Sequence, residues 1–134
     1  MTDDNRSELE QLVRLAAQTA DDKKGHETLI IDVGNVLAVT EFFVITSAPN
    51  SRMVRSIAES VEAEIKAIGG PSPKRIEGLR ELNWVLMDYG DFIVHVFTEE
   101  TRRFYDLERL WKDMPRLPWE PLVRSGSPTP ESDD

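Results

Sequence analysis

The sequence predicts a single α/β domain of the α+β kind, a mixed sheet of about five strands with helices packed against it. Three observations predict it. Residues 7–22 and 51–68 carry apolar side chains at helical spacing, short β-rich apolar runs lie between and after them, and residues 84–97 read as a hairpin.

Taken in order, Ser7 followed by Glu10 reads as a capping box. Leu9, Leu12, Val13, Ala16, Ala17 and Ala20 then form one apolar stripe until Lys23, Lys24 and Gly25 close the helix. The runs Leu29-Ile30-Ile31-Asp32-Val33 and Phe42-Phe43-Val44-Ile45-Thr46 suit strands covered on one or both faces. Asn50 or Ser51 caps a second helix with Val54, Ile57, Ala58, Val61, Ile65 and Ile68 on one side, and Gly69-Gly70-Pro71 stops it. A strand around Arg75-Ile76-Glu77 completes a crossover unit. The apolar runs 84–89 and 92–97 flank Gly90-Asp91, a pair that suits a type II′ or I′ turn. Thr98 or Glu99 opens a last short helix running through Glu108 to Trp111 and ended by Pro115. Residues 1–113 are therefore expected to form the domain. Residues 114–134, rich in proline, serine and acids, are expected to form an extended arm, with Trp119 tacking it down, and a disordered acidic tail.

At 134 residues and 40% hydrophobic content the chain has room for one modest core and no second domain. It has no cysteine, which excludes disulfides, thiolate metal sites and a cysteine nucleophile. The first residues lack the basic and apolar segments of a signal peptide, and no apolar run is long enough to span a bilayer, so a cytoplasmic protein with no membrane partner is expected. The formal net charge is -9, of which Glu131, Asp133 and Asp134 contribute three negative charges in the tail. That balance argues against phosphates as the main contact and against sequence-specific nucleic-acid binding; a basic protein is the better partner.

Catalytic chemistry has candidates but no constellation. His26 lies just past a helix end, where capping or solvation explains it. His95 alternates with Val94 and Val96 on a strand and reads as a hydrogen-bonded structural histidine, because no nucleophile accompanies it. Asp88 and Asp91 bracket the hairpin turn and could hold magnesium, but aspartate is common in turns and no Gly-rich phosphate loop accompanies the pair. There is no Gly-x-Ser-x-Gly elbow. No cofactor and no metal site is expected. The rival reading is a metal-dependent nucleotide-binding enzyme using Asp88, Asp91 and His95, and an adaptor for some other basic protein is a third.

A binding surface is better supported. Trp84, Leu86 and Asp88 lie on one face of their strand by period two, as Ile93, His95 and Phe97 do on the next. If the two sets share a face, they form an apolar patch edged by a carboxylate and an imidazole. Tyr89, Asp91, Tyr105, Glu108 and Trp111 extend it, the last three within a segment that interleaves charges with large aromatics.

Several spaced motifs in this region carry a resemblance. Glu77-Gly78, Trp84-Val85-Leu86-Met87-Asp88-Tyr89-Gly90-Asp91, Val94-His95-Val96-Phe97 and Arg103-Phe104-Tyr105-Asp106-Leu107-Glu108-Arg109-Leu110-Trp111 closely resemble the iojap-like ribosomal silencing factors. Upstream, Lys23-Lys24, Ile31-Asp32-Val33, Phe42-Phe43-Val44-Ile45 and the helix after Ser51 extend the resemblance over about residues 7–113. It implies a translational repressor that binds the large ribosomal subunit through its protein fourteen and keeps the small subunit from joining when nutrients are short. It also implies a nucleotidyltransferase-like fold without the catalytic motif, and a homodimer off the ribosome. Two departures stand in the second-strand region. Ser47-Ala48-Pro49-Asn50-Ser51 replaces a turn that commonly holds glycine, and Glu41 stands where aspartate is usual.

Overall fold

The structure, a computed structural model, describes residues 3–120, with side chains from Asn5 onward. The elements follow as α1 (Asp3–Asp22), β1 (His26–Asp32), β2 (Phe42–Ala48), α2 (Ser51–Ala67), β3 (Arg75–Glu77), β4 (Trp84–Asp88), β5 (Phe92–Thr98), α3 (Glu99–Tyr105) and α4 (Leu107–Leu110). The five strands form one sheet in the order β1-β2-β5-β4-β3. The pair β2/β5 is parallel, and the other three pairs are antiparallel. This is the mixed α+β sheet the sequence predicts. The crossover is present too, since β3 runs in the same direction as β2, but β5 and β4 lie between the two strands that α2 connects.

Both faces of the sheet are covered, unequally. On one face α1 and α2 pack Leu9, Val13, Ala16, Ala17, Val54, Ile57, Val61 and Ile65 against Ile30, Phe42, Val44, Val85, Met87, Val94 and Val96. Each buried Val, Leu or Ile there stabilises the fold by about 1.5–3 kcal/mol. On the other face Ile31, Val33, Phe43, Ile45 and Phe97 form a smaller cluster beneath Leu107, Trp111 and Met114. That two-sided cover explains why all seven residues of β2 are buried and why its first four, Phe42, Phe43, Val44 and Ile45, are apolar without a break.

Local signals account for most boundaries. Asn50 caps α2, its side chain accepting the Met53 N–H at 3.0 Å. At the other end Gly69 and Gly70 donate to the Lys66 and Ile65 carbonyls in a Schellman arrangement. In the hairpin, Tyr89 N–H donates to the Phe92 carbonyl at 3.0 Å, leaving Gly90-Asp91 as the loop. Gly90 has φ 89 while Asp91 stays at negative φ, which is the type II′ alternative.

Two expectations are corrected. Ser7 is not a helix cap: α1 begins at Asp3. Its first turns are pinned by Arg6, which bonds Asp32 at 2.9 Å, Glu10 at 3.1 Å and Glu41 at 3.3 Å, and lies 4.7 Å from the Phe42 ring centre. Nor is the last helix continuous. Asp106 adopts φ 51, ψ 55 and breaks it into α3 and α4.

The arm folds back along β1. Asp32 N–H donates to the Pro115 carbonyl, Leu117 N–H to the Ile30 carbonyl, and the Trp119 indole N–H to the Thr28 carbonyl at 2.9 Å. The expected acidic tail, from residue 121 on, lies outside the described residues. No helix among the described residues is long and apolar enough to cross a membrane.

Candidate partner-binding surface

The register of β4 and β5 brings the two predicted sets together. Trp84 pairs with Phe97, Leu86 with His95 and Asp88 with Ile93, so all six side chains share one face of the sheet. This is the face opposite α1 and α2, and Leu107, Trp111 and Met114 cover it over β1, β2 and Phe97 of β5. Toward β4 the cover runs out, leaving Trp84, Leu86, Asp88 and Ile93 half-exposed.

Trp84 is the centre of this strip. Its ring lies 4.9 Å from Phe97 and 4.8 Å from Tyr105, and its indole N–H donates to His95 Nδ1 at 3.1 Å. Beyond it the end of α3 stands clear of the domain: Phe104 is 79% exposed, Tyr105 52%, and Leu110 on α4 72%. Trp84, Phe104, Tyr105, Thr101 and Glu100 line an open cleft of about 440 Å³. Trp111 is half-buried, its ring edge-on to Phe43 at 5.7 Å.

His95 does not reach the surface, which corrects its place at the border of the patch. It is 4% exposed, stacked on Phe97 and edge-on to Phe43 at 4.7 Å. Burial pushes its pKa down to about 4, so the imidazole is neutral at pH 7. Nδ1 accepts from Trp84, so the ring proton is on Nε2, which has no hydrogen-bond partner.

Tyr89 is corrected as well. It lies on the helix-covered face, 5% exposed and stacked on Phe92 at 4.6 Å. Burial, then Glu62, raises its pKa to about 12. A residue so placed cannot serve as a contact anchor without local opening.

The acids divide by task. Asp88 accepts the Gly90 N–H at 2.8 Å and sits 3.5 Å from Arg75, which makes it a turn-forming residue first. Asp91 is exposed at the hairpin tip, with its backbone carbonyl accepting from Glu41 N–H. Glu108 is bound to Arg102 and is not free to meet a partner. His26 opens β1 and pairs with Glu99. Among the described residues no group of three or more His, Asp or Glu side chains is arranged to hold a metal ion.

Sequence reasoning missed Arg102, which sets where the α3–α4 corner stands. Its guanidinium is buried and donates from Nε to Glu108 at 2.9 Å, from one terminal nitrogen to the His26 carbonyl and Ser47 Oγ, and from the other to the Glu27 carbonyl at 2.8 Å. Two successive carbonyls of β1 converge on it because Glu27 sits at φ 48 within a break in the β1–β2 register. In a continuous helix residues 102 and 108 would not face each other; the turn at Asp106 brings them together. An aspartate just after a run of aromatics, a residue type that tolerates the left-handed region, was the available signal.

A family model described as "Ribosomal silencing factor during starvation" matches residues 6–134. The chain is 32% identical over 114 residues to "Ribosomal silencing factor RsfS" of Halalkalibacterium halodurans, covering 85% of this chain and 97% of that protein. It is 28% identical over 107 residues to "Mitochondrial assembly of ribosomal large subunit protein 1" of Mus musculus, covering 78% of this chain and 45% of that protein. An X-ray structure of a Chromobacterium violaceum protein superposes with a TM-score of 0.73 at 27% identity, covering 88% of this chain and 93% of that one.

Proposed function

The chain belongs to the ribosomal silencing factor family, and on that premise we propose that it represses translation by binding the large ribosomal subunit through its protein fourteen. Docked there, its bulk blocks the approach of the small subunit, and translation falls under nutrient limitation. No turnover is needed. The repressor works in the cytoplasm and pairs as a homodimer when off the ribosome.

The observation that carries this reading is the uncovered strip of the sheet from Ile93 and Leu86 through Trp84 to Tyr105. It is apolar, half-exposed and continuous with the exposed end of α3. A central aromatic ringed by partly buried groups has the make-up of an interface anchor. Exposed Asp91 and Glu100 lie at the strip's two ends and give a basic partner its steering and register.

Co-sedimentation with purified large subunits tests the reading. Trp84→Ala should weaken binding by about 2 kcal/mol, roughly thirtyfold. Normal co-sedimentation of the folded variant would remove Trp84 from the interface. Subunit joining followed by light scattering should slow as the wild-type protein is added, and unchanged joining would sink the steric mechanism.

A further inference from the structure

A core histidine ordinarily has its polar atoms satisfied by its own surroundings. His95 is arranged differently. Its ring is enclosed by Phe43, Phe97 and the strand beside it, its Nε2–H has no acceptor, and its one hydrogen bond goes outward to a half-exposed side chain, Trp84. We propose that His95 is a positioning residue for the docking surface: by accepting the Trp84 indole N–H at Nδ1 it holds that ring against Tyr105 in the orientation a partner meets.

The role rests on the docking reading given above, and the geometry explains why a histidine serves it. Trp84 and His95 are diagonal neighbours on paired strands, within reach of large side chains. The flanking rings tilt against the indole at 32° for Phe97 and 49° for Tyr105, contacts that limit it without fixing its rotation. A hydrogen bond is directional and does fix it. Because the imidazole is buried and neutral, Nδ1 keeps its lone pair for this bond. If the indole swung out it could bond to water, but Nδ1 would lose its partner beside an Nε2 that already lacks one. The buried ring thus biases the exposed one toward a single orientation before any partner arrives, which lowers the ordering cost of binding.

Two variants separate positioning from packing. In His95→Asn the amide oxygen stands where Nδ1 does, so the acceptor is kept although more volume is lost. In His95→Gln the acceptor moves outward by one bond, while the volume is closer to that of histidine. Indole N–H exchange, read by NMR with the Trp84 resonance assigned from Trp84→Phe, should show slow exchange in the wild type and in His95→Asn and fast exchange in His95→Gln. Affinity for purified large subunits should fall about tenfold in His95→Gln and less than about threefold in His95→Asn. Urea unfolding of the same variants should give the opposite order, with Asn the less stable. Binding that follows stability, equal loss in both variants, or a rapidly exchanging Trp84 indole in the wild type would each overturn the proposal. A wild type with a protected indole but no affinity for subunits would instead refute the docking reading.

Discussion

Replacing Arg102 by methionine should destabilise the fold by about 3 kcal/mol, at the lower end of the range for breaking one partner of a buried ion pair. The substitution keeps most of the aliphatic volume and removes four hydrogen-bond donations, together with the charge opposite Glu108. Summed as charged hydrogen bonds these would exceed that figure severalfold, but water recovers part of the loss. Glu108 keeps 24% of its side chain accessible, and His26 and Glu27 line an open cleft. For a domain of this size, with a urea slope of about 1.5 kcal/mol per molar, the midpoint should fall by about 2 M. Unfolding followed by far-ultraviolet circular dichroism measures it. Adding Glu108→Leu to the Arg102→Met background should cost little more, since the carboxylate has already lost its counter-ion. A midpoint shift under about 0.5 M would refute the reasoning. So would full additivity of the two substitutions, because it would mean that the pair is not coupled.

Three further outcomes are expected. His95 has a folded pKa lowered to about 4 against 6.5 unfolded, so below pH 6.5 the unfolded chain takes up the proton first. Its contribution is complete above pH 6.5 and is lost as pH falls toward 4, by about 3 kcal/mol in all, seen as wild-type urea stability falling relative to His95→Asn over that window. Gly78→Ala should destabilise by about 2–3 kcal/mol, because Gly78 has φ 91 and an added Cβ would run into the Trp84 carbonyl oxygen. Trp84 fluorescence should shift with it, and an unchanged midpoint would count against this geometry. Trp119→Phe removes the indole bond to the Thr28 carbonyl and should cost about 1 kcal/mol, with faster amide exchange at Leu117 and Asp32.

Much of the architecture was legible in local pattern. Period two in residues 84–97 set Trp84 with Leu86 and Ile93 with Phe97, and the β4/β5 register joins the two sets on one face, while the apolar run at residues 42–45 matches the burial of β2 on both sides. Alternation, had it been applied to Tyr89, would have placed it too: one residue beyond Asp88, it belongs with Val85 and Met87 on the helix side. Counting it among surface aromatics set composition above period. Strand order was not legible, because inserting β5 beside β2 is a choice among non-local pairings that local residues do not encode. The break at Asp106 was hidden for a related reason, since the bonds that reward it reach back to His26, Glu27 and Ser47. His95 looked like a border residue because the rings that enclose it, Phe43, Phe97 and Trp84, come together only in the folded sheet.

The two outer strands bear on how such a protein avoids open-ended assembly with copies of itself. An open sheet with an apolar face left partly bare invites runaway strand addition, chain upon chain, unless its margins are closed. Here the arm from Pro115 to Trp119 lies along β1, with prolines at 115 and 118 interrupting any further ladder. The opposite margin, β3, is three residues long and follows Pro71 and Pro73, too short and too poor in donors to template another strand. With the margins closed to backbone pairing, the half-exposed face is left as the surface on which side chains rather than backbone are presented.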